Sequence, residues 1–153
     1  GASDLLAAMG VRVTKWDTAE TASGGPFPEI LIHDLFISCI LAGPETPVLV
    51  PATATAPGRS LTVIGDVACD PDSDFNPIKV YDRVTDWQHP VRRVAEAPVL
   101  DVMAIDNLPS LLPRESSLDF AAQLLPVLQG LDQIETGPWA RDRAIFDKHL
   151  AAL

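Results

Sequence analysis

The stretch Asp101-Val-Met-Ala-Ile-Asp106-Asn-Leu-Pro-Ser-Leu-Leu-Pro113-Arg-Glu-Ser-Ser-Leu118 decides the fold. Residues 98–105 form a nearly continuous apolar run that reads as a strand, and Asp106 stands at its carboxyl end. Pro109 and Pro113 then interrupt regular structure before a helix. In open α/β sheets, ligands bind in the crevice beyond the carboxyl ends of the strands. Asp106 is therefore the first candidate binding residue.

Two more short apolar runs lie upstream, at residues 34–41 and 61–67. Neither alternates between apolar and polar residues, as expected of strands covered on both faces in a parallel sheet. At the amino end, residues 1–9 read as a short helix closed by Gly10, and the β-branched run 11–16 reads as a strand ending at Asp17. Residues 18–27 contain Ser23-Gly24-Gly25-Pro26 and read as loop, as do residues 69–77. The proline-rich connection 43–60 leaves room for a short helix. Beyond Pro113, Ser116 or Ser117 can cap a helix with Asp119 in its first turn, which Pro126 would kink or split. A last helix starts at Pro138 and aligns Trp139, Phe146, Leu150 and Leu153 on one stripe. The expected class is α/β.

Composition narrows the function. A chain of 153 residues with 47% apolar residues can build a core, and its formal charge of -10 repels polyphosphate and anionic membranes. A small ligand is the better match. No apolar run approaches bilayer length and no secretory signal opens the chain, so a cytoplasmic setting is expected. The two cysteines, Cys39 and Cys69, make no disulfide framework and are expected as buried, reduced thiols.

Asp17 lies sixteen positions after Gly1. In dinucleotide-binding units an acidic residue about twenty positions beyond the glycine-rich turn bonds the adenine-ribose hydroxyls, and a carboxylate there favours NAD over NADP. The competing reading is a solvated aspartate that opens a loop. Asp66 ends the run 61–67 and either caps the next loop or faces the crevice, with capping preferred. Asp70-Pro71-Asp72-Ser73-Asp74 starts like a calcium loop, but Phe75 and Tyr81 occupy the glycine and glutamate positions. His33, His89 and His149 are too far apart in sequence for zinc spacing, and no nucleophile elbow is present.

Several motifs then converge: Lys15-Trp16-Asp17, Glu20-Thr21, Gly24-Gly25-Pro26-Phe27, Asp66-Val67, Asn76-Pro77-Ile78, the run from Ile105 to Glu115, Pro138-Trp139-Ala140-Arg141 and Phe146-Asp147-Lys148-His149. In order and along the whole chain they resemble the carboxyl-terminal part of the saccharopine dehydrogenase family, NAD-dependent and lysine-forming, related in fold to alanine dehydrogenase. The resemblance implies a Rossmann-like, mostly parallel sheet that is incomplete, its first strand missing, followed by carboxyl-terminal helices. It implies that residues 1–112 are most of an NAD-binding domain and residues 113–153 are helices returning to a substrate domain.

The activity implied is hydride transfer from saccharopine to NAD followed by imine hydrolysis to lysine and 2-oxoglutarate. Asp17 and Thr21 would bind the adenosine ribose, Leu41 and Val67 would border the cofactor, and Ile105, Asp106, Asn107 and Leu108 would line its nicotinamide side. Leu41 stands where better-known members carry Tyr, and Asn107 where they carry His. Gly1 would be the last glycine of the phosphate-binding turn. The family's acid-base Lys and His fall in the amino-terminal part, so this piece alone is expected to be inactive and to need that part as partner. The alternatives are a non-enzymatic nucleotide-binding or protein-interaction module, or a relative acting on another opine or amino-acid substrate.

Overall fold

The computed structural model describes residues 1–152 and divides the chain into two compact units, Gly1–Asp106 and Asn107–Leu153. In the first unit, helix α1 (Ala2–Ala8) ends at Gly10, whose φ of +80 is the left-handed conformation glycine adopts without strain. The run 11–16 does not become a strand. Among the described residues it makes no backbone hydrogen bond at positions 12–16, because nothing lies alongside to pair with it.

Asp17 opens a single helical turn, α2 (Thr18–Thr21), where a loop was expected. Asp17 accepts from Thr18 N at 2.8 Å and Glu20 accepts from Asp17 N at 2.7 Å. This is the reciprocal capping arrangement that an Asp-x-x-Glu sequence encodes. A second turn, α3 (Pro28–Leu31), starts on Pro28 and buries Ile30; Phe27, just before it, packs edge-on against Trp16 at 5.7 Å.

Four strands form one sheet: β1 (Leu35–Ser38), β2 (Val63–Asp66), β3 (Arg92–Glu96) and β4 (Val99–Met103), in the spatial order β1-β2-β4-β3. β1, β2 and β4 run parallel, in register Phe36↔Ile64↔Val102, and β3 returns antiparallel to β4. The three apolar runs therefore became the three parallel strands, each shorter than its run. β3 was not anticipated, since Arg92 and Arg93 break its apolar pattern; on β3, Arg93 instead pairs with Asp101 of β4 at 3.0 Å.

The connections across the sheet are extended coil. Four prolines between residues 43 and 60 prevent a helix there, leaving only a 3-10 turn at Ala52–Thr55. The coil still contributes to the core: Val50 bridges to Ile78 and both are fully buried, alongside Leu61, Ile64, Leu100 and Val102.

The second unit begins with a 3-10 turn, Leu108–Leu111, and continues with α4 (Pro113–Gln129), a 3-10 turn at Leu131–Gln133 and α5 (Gly137–Leu150). Neither serine caps α4. Pro113 occupies its first turn, a place where the missing N–H is no loss, and Ser116 lies inside the helix, donating to Pro109 O at 3.0 Å. α4 runs unbroken through Pro126. Trp139 Nε1 donates to Val127 O at 2.9 Å, which ties α5 to α4. No described residue of this unit is buried, and Phe120, Phe146 and Leu150 of the two helices are exposed. Leu153, expected on the α5 stripe, lies outside the described residues.

Candidate functional site

Parallel strands β1, β2 and β4 end on the same side of the sheet, so the segments leaving them share one edge. Leu41 follows β1 and is 99% exposed, Val67 follows β2 and is exposed, and Ala104, Ile105 and Asp106 follow β4. Ile105 is itself buried, at 4% exposure, so only its backbone can face a ligand, whereas the Asp106 side chain is exposed. The expected site residues Leu41, Val67 and Asp106 are thus brought to one edge by topology. Asn107 comes next in sequence with φ 58, and Leu108 opens the 3-10 turn. Asparagine is among the few side chains that enter the left-handed region readily, so Asn107 suits this turn.

Asp17 and Thr21 stand apart from these residues in the chain. The exposed Asp17 carboxylate is partly used in capping α2, and Thr21 Oγ1 donates to the Asp17 carbonyl at 3.4 Å.

What sequence reading missed is the polar lock beneath the edge. Asp66 is 1% exposed; its Oδ2 accepts from Tyr81 Oη at 2.6 Å and its Oδ1 from Cys69 N at 3.3 Å. The capping role expected of Asp66 is therefore present, with a second bond added. Cys69 Sγ donates to Ala104 O at 3.0 Å, and Val67 N donates to Ser38 O at 2.9 Å. The buried Ser38 hydroxyl, opposite Asp66 in register, has no hydrogen-bond partner among the described residues.

Two hollows open nearby. One of about 60 Å³ is lined by Leu41, Asp66, Asp70 and Asn76; it has room for a few water molecules but not for a dinucleotide. The other, about 400 Å³, is lined by Arg83, Thr85, His89 and Arg92. Neither has Asp17 or Asp106 in its wall.

Cys39 is exposed, not buried: β1 ends at Ser38, one residue before it, and nothing covers the position. Cys69 is half-buried, and burial first, then the Asp106, Asp66 and Asp70 charges, push its thiol from 9.0 up to about 11. The folded chain holds this proton more tightly than the unfolded chain, so the associated stability is complete below about pH 9 and fades as pH rises toward 11. The thiolate is also the reactive species. Iodoacetamide at pH 8 should label Cys39 and spare Cys69 in the folded protein, as read by mass spectrometry of the two peptides; equal labelling would contradict this arrangement.

No protein-family model matches the chain. Individual relatives do. The chain is 44% identical over 160 residues to a Candida albicans protein, 43% identical over 157 residues to a Yarrowia lipolytica protein and 39% identical over 155 residues to a Schizosaccharomyces pombe protein. Each carries the name saccharopine dehydrogenase [NAD(+), L-lysine-forming]. These matches take in 100%, 98% and 96% of this chain, and the chain spans 42% of each relative's length. The resemblance read from the sequence thus holds along the whole chain. No helix among the described residues is long and apolar enough to cross a membrane.

Proposed function

We propose, from the relationship of this chain along its full length to NAD-dependent, lysine-forming saccharopine dehydrogenases, that it is the carboxyl-terminal portion of such an enzyme and carries part of the cofactor site. The observation that carries the reading is the conjunction of that full-length similarity with a parallel-sheet edge bearing Leu41, Val67 and Asp106. Residues 1–112 then form most of the NAD-binding domain, and residues 113–153 return as helices to a substrate domain. The exposed apolar side chains of α4 and α5 support this, since contiguous apolar surface normally marks an interface.

Asp17 and Thr21 hold the adenosine ribose in this reading, because a carboxylate accepts from both ribose hydroxyls and repels a 2′-phosphate. Leu41 and Val67 border the dinucleotide. Ile105 contributes backbone, and Asp106, Asn107 and Leu108 flank the nicotinamide. NAD takes up the hydride from the carbon that bears saccharopine's secondary amine; imine hydrolysis then releases lysine and 2-oxoglutarate. This portion binds and orients. The acid-base groups come from the amino-terminal part of the same enzyme. The substrates are small molecules, and the formal charge of -10 disfavours nucleic acid and anionic membranes as partners. The setting is cytoplasmic.

The run 11–16 and the outer edge of β1, which among the described residues are unpaired and paired only with β2 respectively, fit the same picture. A further strand of the complete enzyme would satisfy both, and exposed strand edges otherwise invite association.

The test is saccharopine-dependent NADH formation by the complete polypeptide that carries this sequence, with the chain alone as control. Turnover by the first and none by the second is expected. Turnover with a different opine in place of saccharopine would shift the substrate assignment. Turnover by the chain alone would refute the proposed location of catalysis, and obligate self-association without NAD binding would favour an interaction module.

A further inference from the structure

We infer that the Tyr81–Asp66 hydrogen bond braces the loop that carries Val67, making Tyr81 and Asp66 positioning residues for the nicotinamide cofactor; this rests on the cofactor-edge reading above. The residues concerned lie on four separate stretches of chain. Ser38 is the last residue of β1, Asp66 is the last residue of β2, Tyr81 comes 15 positions later out of coil, and Ala104 follows β4. Through them the exit loop of β2 is held at four points: Val67 N on Ser38 O, Cys69 N on Asp66 Oδ1, Cys69 Sγ on Ala104 O, and Tyr81 Oη on Asp66 Oδ2.

The last of these fixes the carboxylate on which the Cys69 N bond depends. Asp66 is 1% exposed and Tyr81 7%, so the phenol is the donor that satisfies one carboxylate oxygen away from bulk water. Burial and the Asp66 contact both push the Tyr81 phenol well above its ordinary range, so it stays a donor at all physiological pH. Without that donor, the carboxylate oxygen is left buried and unsatisfied, and its remedy is to turn toward the small hollow that Asp66 already lines. Turning releases Cys69 N and leaves Val67 held by its backbone bond to Ser38 O alone, so the path through Ala68 is no longer fixed. A loosened edge binds a dinucleotide less well, because the ordering must then be supplied on binding. Neither residue touches the reacting atoms, so the chemical step should be indifferent.

The experiment uses the complete polypeptide and the variants Tyr81→Phe, Asp66→Ala and Thr55→Ala. NAD affinity is measured by calorimetry, and kcat and both KM values by steady-state assay. In Tyr81→Phe the Kd and KM for NAD should rise roughly tenfold, with kcat and the saccharopine KM moving less than about twofold. Thr55→Ala, which loses a hydroxyl bond to Ala52 O in the 3-10 turn away from this loop, should leave NAD affinity unchanged. Should Tyr81→Phe fail to fold, Asp66→Ala, which removes the acceptor for both Tyr81 Oη and Cys69 N, reads the same split. Unchanged NAD affinity in a folded Tyr81→Phe or Asp66→Ala variant overturns the brace alone, as does an equal loss in Thr55→Ala. A wild-type protein that binds no NAD overturns the brace together with the cofactor-edge reading.

Discussion

Arg59→Ala should lower the unfolding free energy by about 3 kcal/mol, the sum expected when several hydrogen bonds from one charged donor are lost together. The Arg59 guanidinium donates to four backbone carbonyls: Ala54 O at 2.8 Å, Leu61 O, Pro98 O at 2.5 Å and Val99 O at 3.0 Å. Leu61 leads into β2, Pro98 precedes β4 and Val99 begins it, so one side chain staples the starts of two parallel neighbours. Ala54 and Leu61 are buried, and carbonyls there have little access to water as a substitute. Truncation removes all four donors at once. Lysine offers a point charge with no planar fork, so Arg59→Lys should retain one or two of these bonds and lose less. Urea unfolding of the complete protein reads this as a lower midpoint at unchanged slope. A loss below about 1 kcal/mol would mean that water or side-chain rearrangement replaces the fork. Because the staple sits at the amino ends of the strands, opposite the edge that carries Leu41 and Val67, NAD affinity of the folded variant should not change.

Asp17→Asn should weaken NAD binding by about ten- to hundredfold, the range for losing a hydrogen bond to a charged group, while leaving the fold intact. The substitution separates the two roles of this side chain. Asparagine caps helices as well as aspartate does, so α2 keeps the bond to Thr18 N. What disappears is the negative charge that, in the proposed cofactor contact, accepts from both ribose hydroxyls and repels a 2′-phosphate. The variant should therefore lose preference for NAD over NADP along with affinity, read as the ratio of kcat/KM for the two cofactors in the complete enzyme. Unchanged NAD affinity and unchanged preference would reduce Asp17 to a helix cap.

Much of the architecture was legible because it is written in short runs. Gly10 stops α1 through its own backbone freedom, and the apolar segments 34–41, 61–67 and 98–105 contain the three parallel strands. Pro113 and Pro138 mark the starts of α4 and α5 by local stereochemistry. The capping turn at Asp17 was legible too, in the Asp17 and Glu20 spacing, but the glycines that follow drew the reading toward loop. Elsewhere local pattern failed where partners decide. The run 11–16 has strand composition and no strand, because a strand exists only where another lies beside it. Arg92 and Arg93 look like surface charge, yet their stretch pairs with β4.

The candidate site divides the same way. Asp106 at a strand end, Asp17 at the start of a turn and the run from Ile105 to Glu115 could be read residue by residue, since each depends on neighbours within a few positions. That Leu41, Val67 and Asp106 share an edge followed once the strands were taken as parallel. The sequence by itself thus determined the α/β class, the strand-forming runs and the family resemblance, all of which rest on local stereochemistry and on the order of motifs. Only tertiary structure decided that Tyr81 satisfies Asp66, that Arg59 joins two strands some 40 residues apart, and that Ile105 turns inward while Asp106 stays out. Those outcomes depend on which groups lose water together when distant segments pack, and no spacing along the chain records that.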